Sequence, residues 1–458
     1  MTAILKPSVV PKAAPKVKPL EKIINAGFSA YLHGFSAIDS WLTGGKTLNL
    51  TGCVHVVTNA GTADLAKLFE NLRYPGTGLA DAALDDKDRT FCFRCSDIAD
   101  VFHASVEANR FSFGKNRSTI DKNQLTIDIN QSFNNNFSTF KLLEFYQDCK
   151  TRAFYDPHGI YPLLKTLRQN LNNPQNNGKN ADTQPATYNP YDLIKSHINA
   201  NSGYNRALMD TALILAKYTH HESETERYIK KIADLFYDGS YFHDDTAPSV
   251  EEQRLFLCSL MTSVNPSPGL ELLKECGFID EYWQELAILD EAEHNKDFHP
   301  EGNAWKHTLE TFRYRKPVSR LHETYQSELR LSLGLLLHDA GKPIASSAGS
   351  RRFDGHAELG EIQARKFLER LNFAPSLISD VCFLVRYHMI TAALPRLPLF
   401  RTAEIMSSDL FPALLELYRC DESSSFKGLD GYYESSAAYQ TFLRNKRNPY
   451  KNIRQPRP

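Results

Sequence analysis

The stretch that most restricts the fold is LSLGLLLHDAGKP, residues 331–343. It is an apolar ridge of helical length that ends in a histidine and a carboxylate side by side, His338 and Asp339, before a Gly-Lys-Pro stop. A soluble helix buries apolar groups, and a carboxylate drawn out of water with them needs a cation or hydrogen bonds to compensate it. The helix therefore has to pack against other segments that bring polar partners to this point.

Four further segments offer such partners. NAWKHTLETF carries His307 on a helix fixed by Trp305, Leu309 and Phe312; FDGHAELGEIQARKFLERL carries His356 at a helix start; VCFLVRYHM carries His388 at a helix end; LLELYRCDESS ends an apolar helix with Asp421. Packed as a bundle, these helices could aim their polar tips at one point. Any one of the histidines alone reads more simply as a hydrogen-bonded core or surface residue. The ordered series of histidines and carboxylates points instead to a divalent cation, one or two ions of Mn, Ni, Fe, Co, Zn or Mg. Lys342 reads either as the solvated cation of a helix C-terminus or as a contact to a substrate phosphate.

The rest of the chain reads as several parts. At 458 residues more than one domain is expected. Residues 1–22 are Pro/Lys-rich and read as a disordered tail, and 23–165 mix short alternating runs with helical stretches, an α/β head. An Asn-rich linker is expected over 166–192, a helical neck over 193–285, a metal-binding helical domain over 286–435 and a basic tail over 436–458. The fold class is thus α+β, mainly α. A formal net charge of -1 excludes a uniformly basic nucleic-acid binder, so any RNA contact is local. The eight scattered cysteines suit reduced thiols, and the Cys92–Cys95 pair lies on an alternating run that would point the two side chains to opposite faces of a strand. With no signal-peptide pattern and no apolar run approaching membrane-spanning length, a cytoplasmic protein without a membrane partner is expected. Oligomeric state is open.

LLHDAGKP resembles the signature of the HD superfamily of metal-dependent phosphohydrolases, and WKHTLETF, GHAELG, YHM and YRCDESS follow in that family's order. The resemblance implies an all-α domain in which His307, His338, Asp339 and Asp421 bind one metal ion and His356 and His388 extend the site toward a second. It also implies attack of a metal-activated water on phosphorus, with His338, Asp339 and Lys342 at the catalytic centre.

The wording around this motif is similar to the tail of bacterial tRNA nucleotidyltransferases and poly(A) polymerases. YLHGFSAIDSWLTGG resembles that family's opening block, with Gly34 and Asp39 matching, and FYDPHG matches its Asp-Pro-x-Gly segment at Asp156, Pro157 and Gly159. Gly34, Asp39 and, in the neck, Arg206 are the residues the resemblance offers for nucleotide binding. Nucleotide transfer needs two carboxylates two apart on a strand to hold magnesium. At the place where the block leads one to expect them the sequence reads KTLNL, with Thr47 and Asn49, and Phe35 and Ile38 replace the block's second glycine and its arginine. Asp128 in TIDIN has no partner acid two positions away. A nucleotidyltransferase-like head that has lost its catalytic metal site is therefore expected. The functional expectation is a phosphohydrolase acting through the HD domain on a nucleotide or RNA end. The alternatives are an active tRNA nucleotidyltransferase or poly(A) polymerase, and a noncatalytic RNA-binding protein.

Overall fold

A computed structural model describes residues 18–42, 53–74, 81–86, 89–96, 145–156, 164, 202–218, 225–237, 242–244, 247–263, 265–293, 302–315, 325–347, 353–425 and 428–447. The chain divides into two compact units, residues 1–259 and 260–458.

The first unit is built on a mixed seven-stranded sheet. Helix α1 (Lys18–Asn25) precedes β1 (Ala30–His33), α2 (Phe35–Leu42), β2 (Cys53–Thr58) and α3 (Thr62–Leu68). The short β3 (Leu72–Arg73), β4 (Ala82–Asp86), β5 (Arg89–Cys95), β6 (Tyr146–Asp148) and β7 (Phe154–Tyr155) complete it in the order β3-β4-β5-β2-β1-β6-β7. Within this sheet, among the described residues, only β2 and β5 run parallel, and the run of Val54, Val56 and Val57 suits a strand buried at the centre. Gly34 turns β1 into α2 in the left-handed region (φ 57°), and its carbonyl accepts the Ile38 amide at 3.0 Å to open the helix. The start of α1 falls inside the expected disordered tail: Leu20 and Ile23 lie one turn apart and both are buried, a local pattern that the Pro/Lys composition concealed. Helices α4 (Tyr204–Tyr218), α5 (Thr225–Tyr237) and α6 (Val250–Met261) follow within the segment read as a helical neck.

The second unit is helical. It comprises α7 (Ser267–Glu275), two helical turns (Phe278–Tyr282 and Gln284–Ala287), α8 (Ala304–Tyr314), α9 (Tyr325–Leu337), α10 (Lys342–Ser347), α11 (His356–Arg370), α12 (Pro375–Ala393), α13 (Leu399–Ser407), α14 (Phe411–Ser423) and α15 (Asp430–Arg447). The division of units falls within the segment read as a neck. Residues from 260 to 285 are tied to the bundle: the Ser267 hydroxyl donates to the Leu309 carbonyl at 2.6 Å, and Arg370 forks onto Glu285 at 2.6 and 3.2 Å. At the other end α15 continues to Arg447, well into the segment expected as a basic tail.

Helix α12, with the 3₁₀ turn after it, is a 22-residue apolar stretch, Pro375–Arg396, long enough to cross a membrane by length and composition. The sequence reading found no such stretch. Its Leu377, Ile378, Val381, Leu384 and Val385 are buried, which makes it the core helix of the bundle.

Two glycines set how closely the bundle closes. A Cβ on Gly334 would lie 2.9 Å from Leu384 Cδ1 and 3.2 Å from Leu417 Cδ1, so its absence lets α9 settle against α12 and α14. A Cβ on Gly341 would overlap the His356 carbonyl oxygen and the Gly360 amide nitrogen, both backbone atoms that cannot swing away. Gly341→Ala is expected to cost about 3 kcal/mol, the upper end of ordinary overpacking, and to weaken metal binding by separating His338 and Asp339 from His356. Urea unfolding beside a metal titration checks this; an unchanged midpoint and affinity would refute it.

Candidate metal centre

Each polar tip is delivered by a specific helix end or turn. Asn303 caps α8, its Oδ1 accepting the Lys306 amide at 2.9 Å, and this fixes His307 in the first turn. His338 and Asp339 occupy the turn directly after α9, where the Lys342 amide closes onto the Asp339 carbonyl at 2.9 Å. Gly355 (φ 79°) turns the chain so that His356 begins α11. His388 lies toward the end of α12 and Asp421 in the last turn of α14.

The six side chains fall into two groups: His307, His338 and Asp421, then Asp339, His356 and His388, with the ligand atoms of each group within 4.8 Å of one another. His307 Nε2 is 2.9 Å from Asp421 Oδ1 and 3.9 Å from Asp339 Oδ2. Asp339 joins the groups, with Oδ2 3.3 Å from His338 Nε2 and Oδ1 3.7 Å from His356 Nε2. His307, His338, Asp339, His356 and His388 are all buried.

The ring tautomers follow from their partners. The Nδ1 atoms of His338, His356 and His388 lie 2.7–2.8 Å from the carbonyl oxygens of Leu335, Phe353 and Val385. A carbonyl only accepts, so each Nδ1 carries the proton and each Nε2 lone pair faces inward. The Ser424 hydroxyl donates to the Asp421 carbonyl at 2.6 Å and lies 3.4 Å from His307 Nδ1, where its oxygen can accept that ring's proton. Two lone pairs then oppose each other across the 3.1 Å between His356 Nε2 and His388 Nε2, and His338 Nε2 is buried without a hydrogen bond. Such a donor set is costly by itself and is satisfied by a cation. One or two divalent ions fit, the two groups providing one ligand set each.

The electrostatics agree. Burial raises the Asp339 carboxyl, but His338, Lys342 and His307 outweigh it and hold the group well below the usual carboxylate range. Burial likewise raises Asp421, and the hydrogen bond and charge of His307 bring it below its ordinary value. Burial, then His338 and His356, push His388 down to about 3; burial also lowers His356, against the pull of Asp339. Anionic Asp339 and Asp421 and neutral His356 and His388 are the forms that bind metal, whereas His307 gives up its Nε2 proton, held toward Asp421, to do so. Lys342 Nζ sits 2.7 Å from Asp339 Oδ2 and 5.6 Å from the Phe353 ring centre, a contact to the site rather than a solvated helix end.

The sequence reading named all six ligand candidates and Lys342, and missed Ser424. Its signal was a hydroxyl three residues after Asp421, at the C-cap of the same helix, one turn on.

The head residues fare differently. Gly34 makes the β1–α2 turn, and Asp39 on α2 faces Lys217 Nζ at 3.9 Å. Arg206 pairs with Glu252 at 2.9 Å near the start of α4, while Lys217 lies near its end, roughly 16 Å away at 1.5 Å per residue. Arg206 and Asp39 therefore do not meet as one nucleotide site. Asp156 is buried, and Pro157 and Gly159 lie outside the described residues, as do Thr47, Asn49 and Asp128. Among the described residues the next strand after the β1–α2 block is β2, Cys53–Thr58, and CVHVVT contains no carboxylate. Cys92 is buried, and burial with Asp81 pushes the Cys95 thiol up to about 12, unlike a thiolate ligand.

Residues 305–407 match the HD domain family, so this part of the chain is an HD domain. Asp421 lies beyond the matched span yet meets His307 at 2.9 Å. The chain is 33% identical over 187 residues to a CC-adding tRNA nucleotidyltransferase of Thermus thermophilus, covering 39% of this chain and 40% of that one. It is 32% identical over 129 residues to a multifunctional CCA protein of Halorhodospira halophila, covering 28% and 29%. The chain thus spans well under two thirds of the length of these relatives. A solved tRNA-processing enzyme aligns over 94% of this chain and 90% of that one at 12% identity, with a TM-score of 0.38, too loose a likeness to carry an argument.

Proposed function

We propose that the chain is a metal-dependent phosphohydrolase whose HD domain cleaves a phosphate ester on a nucleotide or RNA end. The observation that carries the reading is the convergence of His307, His338, Asp339, His356, His388 and Asp421 on one buried point, joined through Asp339 and flanked by Lys342. Bound there, divalent ions would supply Lewis-acid polarisation of a phosphoryl oxygen and a lowered pKa for an attacking water. Overall, the water oxygen bonds to phosphorus, the ester P–O bond breaks, and the leaving oxygen takes a proton. The chain's own part is positional: the carbonyls of Leu335, Phe353 and Val385 hold three rings by their Nδ1 protons, and Ser424 supports His307. Lys342 keeps Asp339 ionised and offers its ammonium to a phosphoryl oxygen.

The names of the relatives support a nucleotide-handling enzyme and favour a second reading, nucleotide addition to tRNA. Against it stands β2, the next described strand after the β1–α2 block, which has no carboxylate pair. One experiment separates the two. Metal-stripped protein refilled with Mn, Ni, Co or Mg is expected to hydrolyse bis-p-nitrophenyl phosphate, p-nitrophenyl phosphate or 2′,3′-cyclic nucleotides. Absence of turnover with every metal, together with incorporation of labelled CTP or ATP into tRNA, would replace the first reading by the second.

A further inference from the structure

The head sheet carries a second polar cluster that the HD chemistry does not use. Residues two apart on a strand share a face. The register pairs Tyr31 with Val57 and Val57 with Arg94, while His33 pairs with Tyr146 and His55 with Cys92. Tyr31, His33, His55, Val57 and Arg94 therefore share one face. Leu32, Val54, Val56, Phe91 and Phe93 fill the other and are buried. Carried one residue beyond Leu32–Val56, the β1–β2 register sets His33 beside His55, with Arg94 diagonal to His55 on the next strand. Lys217 arrives from α4, near enough for its charge to act on His55, with its Nζ 3.9 Å from Asp39 and 5.2 Å from the Phe35 ring centre. His33, His55, Arg94 and Lys217 are each half-buried, the His33 Nε2 atom lying inside.

We propose that His33, His55, Arg94 and Lys217 form an anion site that takes a phosphate group, as carried by pyrophosphate, a free nucleotide or an RNA end, without a metal ion. Four nitrogen-bearing side chains on adjacent strands and one helix converge where β1, β2 and β5 offer no carboxylate on that face. A guanidinium and an ammonium recognise phosphate by charge, and the imidazoles add N–H donors.

The other charged and titratable groups around the face set its pH response. Asp39 faces Lys217, and Asp81 acts on Arg94 while its Oδ2 accepts the Cys95 amide at 2.7 Å. Asp148 is committed to its own turn through the Lys150 and Thr151 amides and the Thr151 hydroxyl. The Tyr146 ring lies 4.9 Å from the His33 ring, and the Cys95 thiol stays protonated. With both imidazoles neutral, Arg94 and Lys217 are balanced by Asp39 and Asp81. Burial, then Lys217 and Arg94, bring His55 down to about 4; burial, then His55 and Arg94, lower His33 well below its ordinary value. An incoming phosphate reverses that repulsion, so its binding takes up protons and strengthens as pH falls.

The test is titration calorimetry of inorganic pyrophosphate into the full chain in EDTA at pH 6 and pH 8. One saturable site is expected. Its affinity falls from pH 6 to pH 8 by about tenfold more than in His55→Gln, a comparison that cancels the ligand's own titration. Arg94→Gln and Lys217→Ala, shown folded by thermal unfolding, each weaken binding about tenfold or more, whereas Asp339→Ala leaves it unchanged. Competition by ATP marks a free nucleotide as the carrier, and competition by a 5′-phosphorylated oligoribonucleotide marks an RNA end; either sustains the site. The proposal is overturned by the absence of saturable binding, by binding indifferent to Arg94→Gln and Lys217→Ala, by its loss in Asp339→Ala, or by a strengthening with Mg. Phosphate-ester turnover at the HD centre does not enter these readouts, so the two proposals fail separately.

Discussion

Asp339→Ala is expected to strip the HD centre of metal and to lower phosphodiester turnover at least about a thousandfold, equivalent to roughly 4 kcal/mol of transition-state stabilisation. Asp339 is the one side chain whose two oxygens reach both ligand groups, Oδ2 toward His338 and His307 and Oδ1 toward His356. It is also the counter-charge of Lys342 at 2.7 Å. Removing it takes the shared carboxylate from both ligand groups and leaves the Lys342 ammonium uncompensated by it, which weakens the site's attraction for a cation. Metal content by elemental analysis and turnover of bis-p-nitrophenyl phosphate give the two readouts. A variant that retains metal and turns over within tenfold of the parent would show that Asp339 does not join the groups functionally.

Arg315→Ala is expected to destabilise the second unit by about 3–5 kcal/mol, the cost of leaving one partner of a buried ion pair alone. Arg315 and Glu328 are buried, 3.2 Å apart, and the same guanidinium donates to the Met261 carbonyl at 2.8 Å, to Ser332 Oγ at 2.7 Å and to the Ser263 carbonyl. The truncation therefore takes the guanidinium away from a buried carboxylate and two carbonyls at once. Replacing Arg315 and Glu328 together by methionine and leucine should recover much of the loss, because two charges then leave the interior at once. Urea unfolding of the three proteins decides it. A single variant as stable as the parent would mean that water reaches Glu328 on truncation.

The cluster of candidate ligands was legible in the sequence because they stand at marked places: His338 and Asp339 at the end of an apolar ridge, His356 at a helix start, Asp421 at a helix end. Helix ends expose polar tips by geometry, so residue type and local periodicity sufficed to find them. Arg315 gave no comparable sign. A charged residue between helices reads as solvated until the Met261 and Ser263 carbonyls and Glu328 close around it. In the head, the KTLNL stretch, where the resemblance leads one to expect the carboxylate pair, lies outside the described residues, and the next described strand is β2 at Cys53–Thr58.

The sequence by itself determined the types of the candidate ligands and the helical segments that bear them. The tertiary structure alone decided the grouping: His307 meets Asp421, 114 residues away, and Asp339 stands between two ligand sets. It alone also put His33, His55 and Arg94 on one face, since a strand's alternation fixes which residues share a side, but only pairing register fixes which strands stand beside each other. Local periodicity is written along the chain, whereas distances between helices and strands are set by packing, through contacts such as Gly341 against the backbone of His356 and Gly360 that no single segment encodes.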